Sequence, residues 1–312
     1  MSTAMRHRAF GLLLVAVLAA GTQACSVRKW AAGKVGDALA SGGTTYASDD
    51  DPELVGDALP FALKTIEGLL ETTPRHKGLL LSAASGFTQY AYVYLAMEAD
   101  YVEGTDLARA THLRARAMNL YRRAFEYGMR GLEGDHAGLR LALNDDARVA
   151  LTGMKKDDVP MLYWTSAAWS LEISADKTNA TLAVNLPRAE KLMHRALELD
   201  PSYGDGVIFD YYISYEGGRA GAAGGSIERA REAFEKALAL AKGRRAAPYL
   251  AFAESVSVGR QDRKEFTDML DAALAVNVDA APEYRLANIV AQQRARSTEP
   301  PAAPARPPSY EM

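Results

Sequence analysis

The sequence predicts an all-α protein in which helical hairpins stack into a compact curved solenoid. Three observations carry this reading. Strand signals, meaning period-two alternation rich in Val, Ile and Thr between tight turns, are nearly absent. Between positions 52 and 296, apolar residues recur at i, i+3, i+4 and i+7, and the runs stop at Pro or Gly. Within several runs a small residue is followed four positions later by a large apolar one, a spacing that lets helices approach closely and stack.

Taken in order, the chain first shows Arg6, His7 and Arg8 before an apolar run from Phe10 to Ala20. That is the charged start and apolar middle of an export signal, too short for the ~20 residues a membrane-crossing helix needs. Cys25, the only cysteine, follows. A cysteine at this junction resembles the lipid acceptor of bacterial lipoproteins, although Thr22, Gln23 and Ala24 depart from the usual preceding pattern. The other reading is cleavage near Ala24, leaving a free thiol, which an exported protein has little use for. By the same resemblance, Ser26 directs the protein to the outer membrane. Residues 26–51, small and acidic without a sustained period, read as a tether. Residues 297–312, with five prolines, read as a disordered tail.

The intervening 52–296 reads as one helical repeat domain. Helices are expected near 53–72, 76–101, 105–132, 157–174, 186–199, 203–215, 226–241, 247–258, 261–276 and 282–296, with one or two short turns in 134–153. The second helix of a tetratricopeptide repeat carries a small residue, a large one four later, and an exit proline. Ala189, Met193, Ala196 and Pro201 fall on that spacing. Ala62, Ile66, Leu69 and Pro74 repeat it less regularly, and Ala117, Tyr121 and Ala124, like Ala230, Phe234 and Ala237, match without the proline. Trp164, Ala167, Ala168 and Leu171 suit a first helix. An insertion at 175–185 breaks the period, so four or five degenerate units are expected. Single pairs cannot bury their apolar faces alone, so such units stack.

Composition narrows the function classes. Hydrophobic residues make up 48% and charged residues 24% of the chain, normal for a folded globular protein. A formal net charge of -3 argues against nucleic acid as a partner. The histidines, His7, His76, His112, His136 and His194, form no paired ligand spacing, and cysteine ligands are lacking, so neither a metal nor another cofactor is expected. No GxSxG elbow occurs, and enzymatic activity is not expected. The acidic pairs Asp145/Asp146 and Asp157/Asp158 read as helix starts favoured by the macrodipole.

Aromatic side chains cluster instead. Tyr163, Trp164 and Trp169 share one helix, Phe209, Tyr211, Tyr212 and Tyr215 another, and Tyr90, Tyr92 and Tyr94 a third. They either fill gaps between helices or offer contact area with a polar handle. On the second reading Tyr92, Tyr163, Trp164, Phe209, Tyr212 and Tyr215 line a concave surface for an apolar or organic ligand or a partner segment. Gly217, Gly218, Gly221, Gly224 and Gly225 do not make a phosphate loop, because no strand precedes them and the lysine is missing. They read as a flexible turn ending at the helix cap Ser226, with Gly217, Gly218, Gly224 and Gly225 as candidate contacts at the mouth of the groove.

Several stretches agree in order with one family. The export signal, the degenerate repeats, DDVPMLYWTSAAW, YYISYEGGRAGAAGGSIERAREAFEKALAL and APYLAFAESVSVGRQDRKEF together resemble the T-component lipoproteins associated with TRAP, or tripartite ATP-independent periplasmic, transporters. The resemblance covers about 51–296. It implies a periplasmic helper, lipid-anchored to the membrane, that docks with the transporter's solute-binding protein as a homo-oligomer. A general tetratricopeptide-type scaffold in envelope assembly is the alternative.

Overall fold

Short polar side chains and prolines start the helices where the periodicity places them. The computed structural model describes residues 33–34, 43–176 and 178–298. The leader with Cys25, tether residues 26–32 and 35–42, and the tail beyond Thr298 lie outside the described residues. Among those described there is no strand, and no helix is long and apolar enough to cross a membrane. The stretch read as one repeat domain divides into two compact units, Glu53–Asp200 with the described residues before Ala47, and Ala47–Pro52 with the described residues from Pro201 to Thr298.

The first unit contains α1 (Pro52–Thr72), α2 (Lys77–Tyr90, continuing through a π-helical segment Ala91–Ala96 into Met97–Val102), α3 (Leu107–Asp135), α4 (Leu139–Ala150), α5 (Val159–Ala175) and α6 (Leu186–Leu199). His76 caps α2 by accepting from the Leu79 amide at 3.2 Å, and Asp106 caps α3 by accepting from Arg109 at 2.9 Å. Pro160 and Pro187 occupy first turns, where no intrahelical amide is missed. Ala91, Leu95 and Ala99 of α2 close one core cluster with Ala110, Leu113, Ala117 and Tyr121 of α3.

The contact between α3 and α5 is shaped by absent side chains. A methyl group on Gly128 would lie 2.2 Å from Thr165 Oγ1 and 3.2 Å from Thr165 Cα, and one on Gly131 would lie 2.3 Å from Met161 Cε. So α3 rests directly on α5. Glu172, buried on α5, takes Arg122 Nε of α3 at 2.7 Å, and Ser166 Oγ donates to the Ala189 carbonyl of α6 at 2.6 Å.

Where 134–153 was expected to hold short turns, α4 is a twelve-residue helix with non-helical backbone at Asp146. Leu139 and Leu143, four apart, anchor it by burial. Asp146 Oδ1 then accepts from the amides of Arg148 and Val149 at 2.9 and 3.2 Å, restarting the turn. Past the end of α5 at Ala175, only Ala180–Ala183 is helical among the described residues up to 185. Asp158 starts a helix, as expected, but it is also an interior hub. Its carboxylate accepts from the Lys155 amide at 3.0 Å, meets Lys77 Nζ at 3.2 Å and lies 3.1 Å from His136 Nε2.

The second unit contains α7 (Val207–Gly217), α8 (Ile227–Ala241), α9 (Ala247–Phe252, continuing through a π-helical segment Ala253–Ser257 into Val258–Arg260), α10 (Arg263–Leu274) and α11 (Arg285–Thr298). Ser226 caps α8 and Asp262 caps α10. Its core joins Ala246, Leu250, Ala253, Leu270, Ala273, Ala291 and Ala295. Gln292 Nε2 donates to the carbonyls of Ala273, Leu274 and Val276 at 3.2, 3.0 and 2.8 Å, closing the C-terminal end of α10 against α11. Arg245, buried, pairs with Asp210 and donates to the Asp205 carbonyl at 3.1 Å.

The small positions of the sequence spacing are buried where expected. Ala117, Ala124, Ala189, Ala196, Ala230 and Ala237 are each at most 1% exposed. In α1 the buried stripe is Val55, Leu63, Ile66 and Leu70, so Ala62 and Leu69 flank it rather than form it.

Two outcomes follow from this packing. Gly128→Ala should cost about 1–3 kcal/mol through overpacking against α5. Gly134→Ala, with open space around its Cβ, should instead gain about 0.5–1 kcal/mol from helix propensity. Thermal melts of the two variants should therefore move in opposite directions. Burial raises the Asp158 pKa, but the hydrogen bonds from Lys155, His136 and Lys77 outweigh it and hold the carboxyl below its ordinary value. The stability this contributes is fully present above the unfolded pKa of about 3.9 and is lost as pH falls through the lower folded value. Asp158→Asn should lower stability at neutral pH and flatten its decline below about pH 4, read by circular dichroism in an acid titration.

Candidate functional site

Helix α7 concentrates aromatic surface because Tyr211, Tyr212 and Tyr215 fall within one turn. Tyr211 and Tyr215, four residues apart, stack with ring centroids 5.5 Å apart and planes at 15°. Tyr212 meets both edge-on, at 5.3 and 6.2 Å. All three are half-buried, so each ring presents part of its area to solvent. Phe209, also expected at this surface, lies in the interior at 8% exposed, with Lys236 Nζ 5.8 Å from its ring centroid.

The row of rings ends on a cation. Arg219 lies over Tyr215, its guanidinium carbon 3.6 Å from the ring centroid, within the range of a cation–π contact. The same guanidinium donates to the Tyr215 carbonyl at 2.7 Å and the Ala223 carbonyl at 2.9 Å. Glu216, buried on α7, accepts from Arg229 Nη2 at 2.7 Å and lies 3.5 Å from Arg219 Nη2. The Glu216 hydrogen bond in turn raises the pKa of Arg229 above its ordinary value.

The glycine loop is built around these arginines. Arg229 donates to the Gly224 carbonyl at 2.6 Å, the Ser226 amide to the Glu216 carbonyl at 3.0 Å, and the Gly225 amide to the Ala220 carbonyl at 3.2 Å. Instead of the flexible turn read from glycine content, the loop is laced to α7 at both ends. A Cβ on Gly225 would come within 2.1 Å of the Arg219 carbonyl oxygen and 2.8 Å of the Glu216 one. A Cβ on Gly218 would meet the Ser214 carbonyl at 2.8 Å, and one on Gly217 would meet Val256 Cγ2 at 2.7 Å. These glycines are there for close approach of backbone to backbone or to α9.

In the first unit, Tyr163 and Trp164 of α5 meet edge-to-face at 5.0 Å, both half-buried. Trp169 packs on Phe125 at 4.5 Å and so serves the interior. Tyr92, 40% exposed, lies in the π-helical segment of α2, and Tyr90 and Tyr94 contact each other at 5.4 Å. The expected site residues thus form two groups in separate units, Tyr92, Tyr163 and Trp164 in one, and Phe209, Tyr212, Tyr215 and the glycines in the other.

Sequence reasoning missed Arg219 and the buried Glu216. The signal available was the spacing of an acidic residue, two glycines and an arginine at the end of an aromatic helix, which spacing alone cannot tell from a solvated charge. Among the described residues no group of three His, Cys, Asp or Glu side chains could hold a metal ion.

With this geometry in place, the comparison with known proteins is decisive for the family. The TRAP transporter T-component family matches residues 48–299, which takes in α1 to α11. The chain belongs to that family. It is also 26% identical over 255 residues to an uncharacterized protein of Treponema pallidum (strain Nichols), an alignment covering 80% of this chain and 79% of that relative. The T-component family is associated with transport and is not an enzyme family.

The laced loop makes a direct test. Gly225→Ala should lower the melting temperature and expose 218–225 to limited proteolysis, because the new methyl meets backbone that cannot yield. Gly221→Ala, with nothing within 4 Å of its Cβ, should leave both unchanged.

Proposed function

We propose that this T-component is a lipid-anchored periplasmic protein that associates with the solute-binding protein of a TRAP transporter and assists solute uptake. The family match over 48–299 carries the reading. The residues support a binding role. Half-buried Tyr and Trp side chains give large contact area at low entropic cost, and the Arg219–Tyr215 pair and the tied loop hold such a surface in one shape. In this reading Tyr92, Tyr163 and Trp164 form contacts on the first unit, and Tyr212, Tyr215 and the loop glycines Gly217, Gly218, Gly224 and Gly225 form contacts on the second. Phe209 supports the second set from within. The bound species is a partner segment or an apolar or organic solute.

The helical hairpins act as tetratricopeptide-like repeats that present these contacts, and the protein works as a homo-oligomer. Cys25 carries the lipid that holds it at the outer membrane. At about 0.8 kcal/mol per buried CH₂, one acyl chain anchors marginally, whereas two or more hold firmly.

The test uses the full-length protein as bait in its native envelope. The solute-binding protein should co-purify with wild type, and Trp164→Ala and Tyr212→Ala should reduce its recovery while melting temperatures stay within a few degrees. In the same cells, palmitate should label wild type and not Cys25→Ser. Capture unaffected by both aromatic substitutions would remove the contact surface, and equal labelling of both proteins would remove the anchor.

A further inference from the structure

A second kind of surface lies in the first unit, apart from the aromatic residues. Lys64, Glu67 and Glu71 of α1 and Arg123, Tyr127 and Arg130 of α3 line a polar surface cavity of about 390 Å³ that is largely open to solvent. Three cations face two carboxylates, and Glu67 is shared between Lys64 and Arg123, which leaves Arg130 as the cation of the set without a carboxylate at salt-bridge distance in the same cavity. Glu67 accepts from Lys64 Nζ at 2.5 Å and from the Tyr127 hydroxyl at 2.8 Å, with Arg123 Nη1 at 3.4 Å. Burial raises the Glu67 pKa, but these hydrogen bonds outweigh it and keep the group ionised. Burial and the same Glu67 contact push the Tyr127 phenol up to about 12, so it stays a donor.

Arg123 and Arg130 are seven residues apart on α3, so they share a face about 10 Å apart. Each is held by a ring, Arg123 over Phe87 and Arg130 over Tyr127, both at 5.3 Å from the centroid. Arg130 Nη2 also donates to the Pro74 carbonyl at 3.0 Å. A guanidinium has five N–H donors in a planar fork, and these contacts use few of them. A cation–π contact places the guanidinium without consuming its donors, which leaves N–H groups for charge-assisted hydrogen bonds to an oxyanion.

We propose that this cavity binds the oxyanion group of a small molecule, gripped by the Arg123 and Arg130 guanidinium groups and bordered by Lys64. Glu71, on the same cavity, opposes the bound charge and limits affinity for highly charged anions. The site does not depend on association with a transporter.

The experiment is calorimetric titration of the full-length protein at low salt with two probes, inorganic phosphate and acetate, which separate a phosphate-type from a carboxylate-type preference. Saturable binding of at least one probe is expected, weakened about tenfold or more by Arg123→Gln and by Arg130→Gln through loss of charge-assisted hydrogen bonds. Glu71→Gln should tighten it, an outcome that a damaged fold cannot produce. No saturable binding of either probe would overturn the proposal. So would unchanged affinity in both arginine variants, or no tightening in Glu71→Gln.

Discussion

The contact between α3 and α5 is the constraint on which the first unit depends. Two long helices can lie this close only where one of them lacks side chains, and Gly128 and Gly131 supply that strip opposite Thr165 and Met161. Once the axes are drawn together, the neighbours have little freedom. Ala117, Tyr121 and Ala124 of α3 become interior, and the Arg122–Glu172 pair can form across the same interface. A neighbouring face of α5, through Ser166, receives α6, whose Ala189, Met193 and Ala196 are each fully buried. Small residues set the spacing and large ones fill the remaining groove, which is how ridge-into-groove packing yields one arrangement of several similar helices.

Both units use buried charge to define connections that apolar packing leaves open. Asp158 ties the start of α5 to Lys77 of α2 and His136 after α3. Arg245 ties the start of α9 to Asp210 of α7, and Asn288 of α11 bridges the Ala246 amide and the Arg244 carbonyl at 2.9 and 2.8 Å. Such groups add little net stability when fully paired, yet breaking one partner is costly. Their effect is to penalise alternative arrangements of helices whose apolar stripes are much alike.

Helix positions were legible in the sequence because burial and the 3.6-residue period leave the same imprint on every amphipathic helix. The ranges expected for α1 to α3 and α5 to α11 agree with the structure to within a few residues at most ends. α4 was not legible as a full helix, because Leu139 and Leu143 are too few to establish a period and Asp146 interrupts it. The boundary after Asp200 was hidden, since a division into units depends on which contacts are missing rather than on composition. At the candidate site the aromatic residues could be seen but their exposure could not: Phe209 and Tyr212 look equivalent in sequence, and only packing puts the first inside. Glu216 shows the same limit for charge. An acidic residue at the glycine-marked end of a helix reads as solvated, and its burial follows only from Arg219 and Arg229 folding back over it.

Two π-helical segments depend on this kind of close packing as well. An extra residue in a helical turn widens it and pushes backbone and side chains toward a neighbour, and in each unit the neighbour at that point is a glycine. In the first unit a Cβ on Gly56 of α1 would come within 2.5 Å of Tyr94, which belongs to the π-helical segment of α2. In the second, a Cβ on Gly217 would meet Val256 and Ser255 of the π-helical segment of α9 at 2.7 and 3.2 Å. At each place the missing side chain makes room for a residue of the widened turn. On the first side the result is a turn that buries Ala91 and Leu95 while leaving Tyr92 exposed. On the second it fixes the end of α7, from which Tyr215, Glu216 and the arginine-laced loop take their positions. The irregular turns are therefore supports of both packing units, and a change at Gly56 would displace the Tyr94 ring while one at Gly217 would press on the turn of α9 that carries Val256.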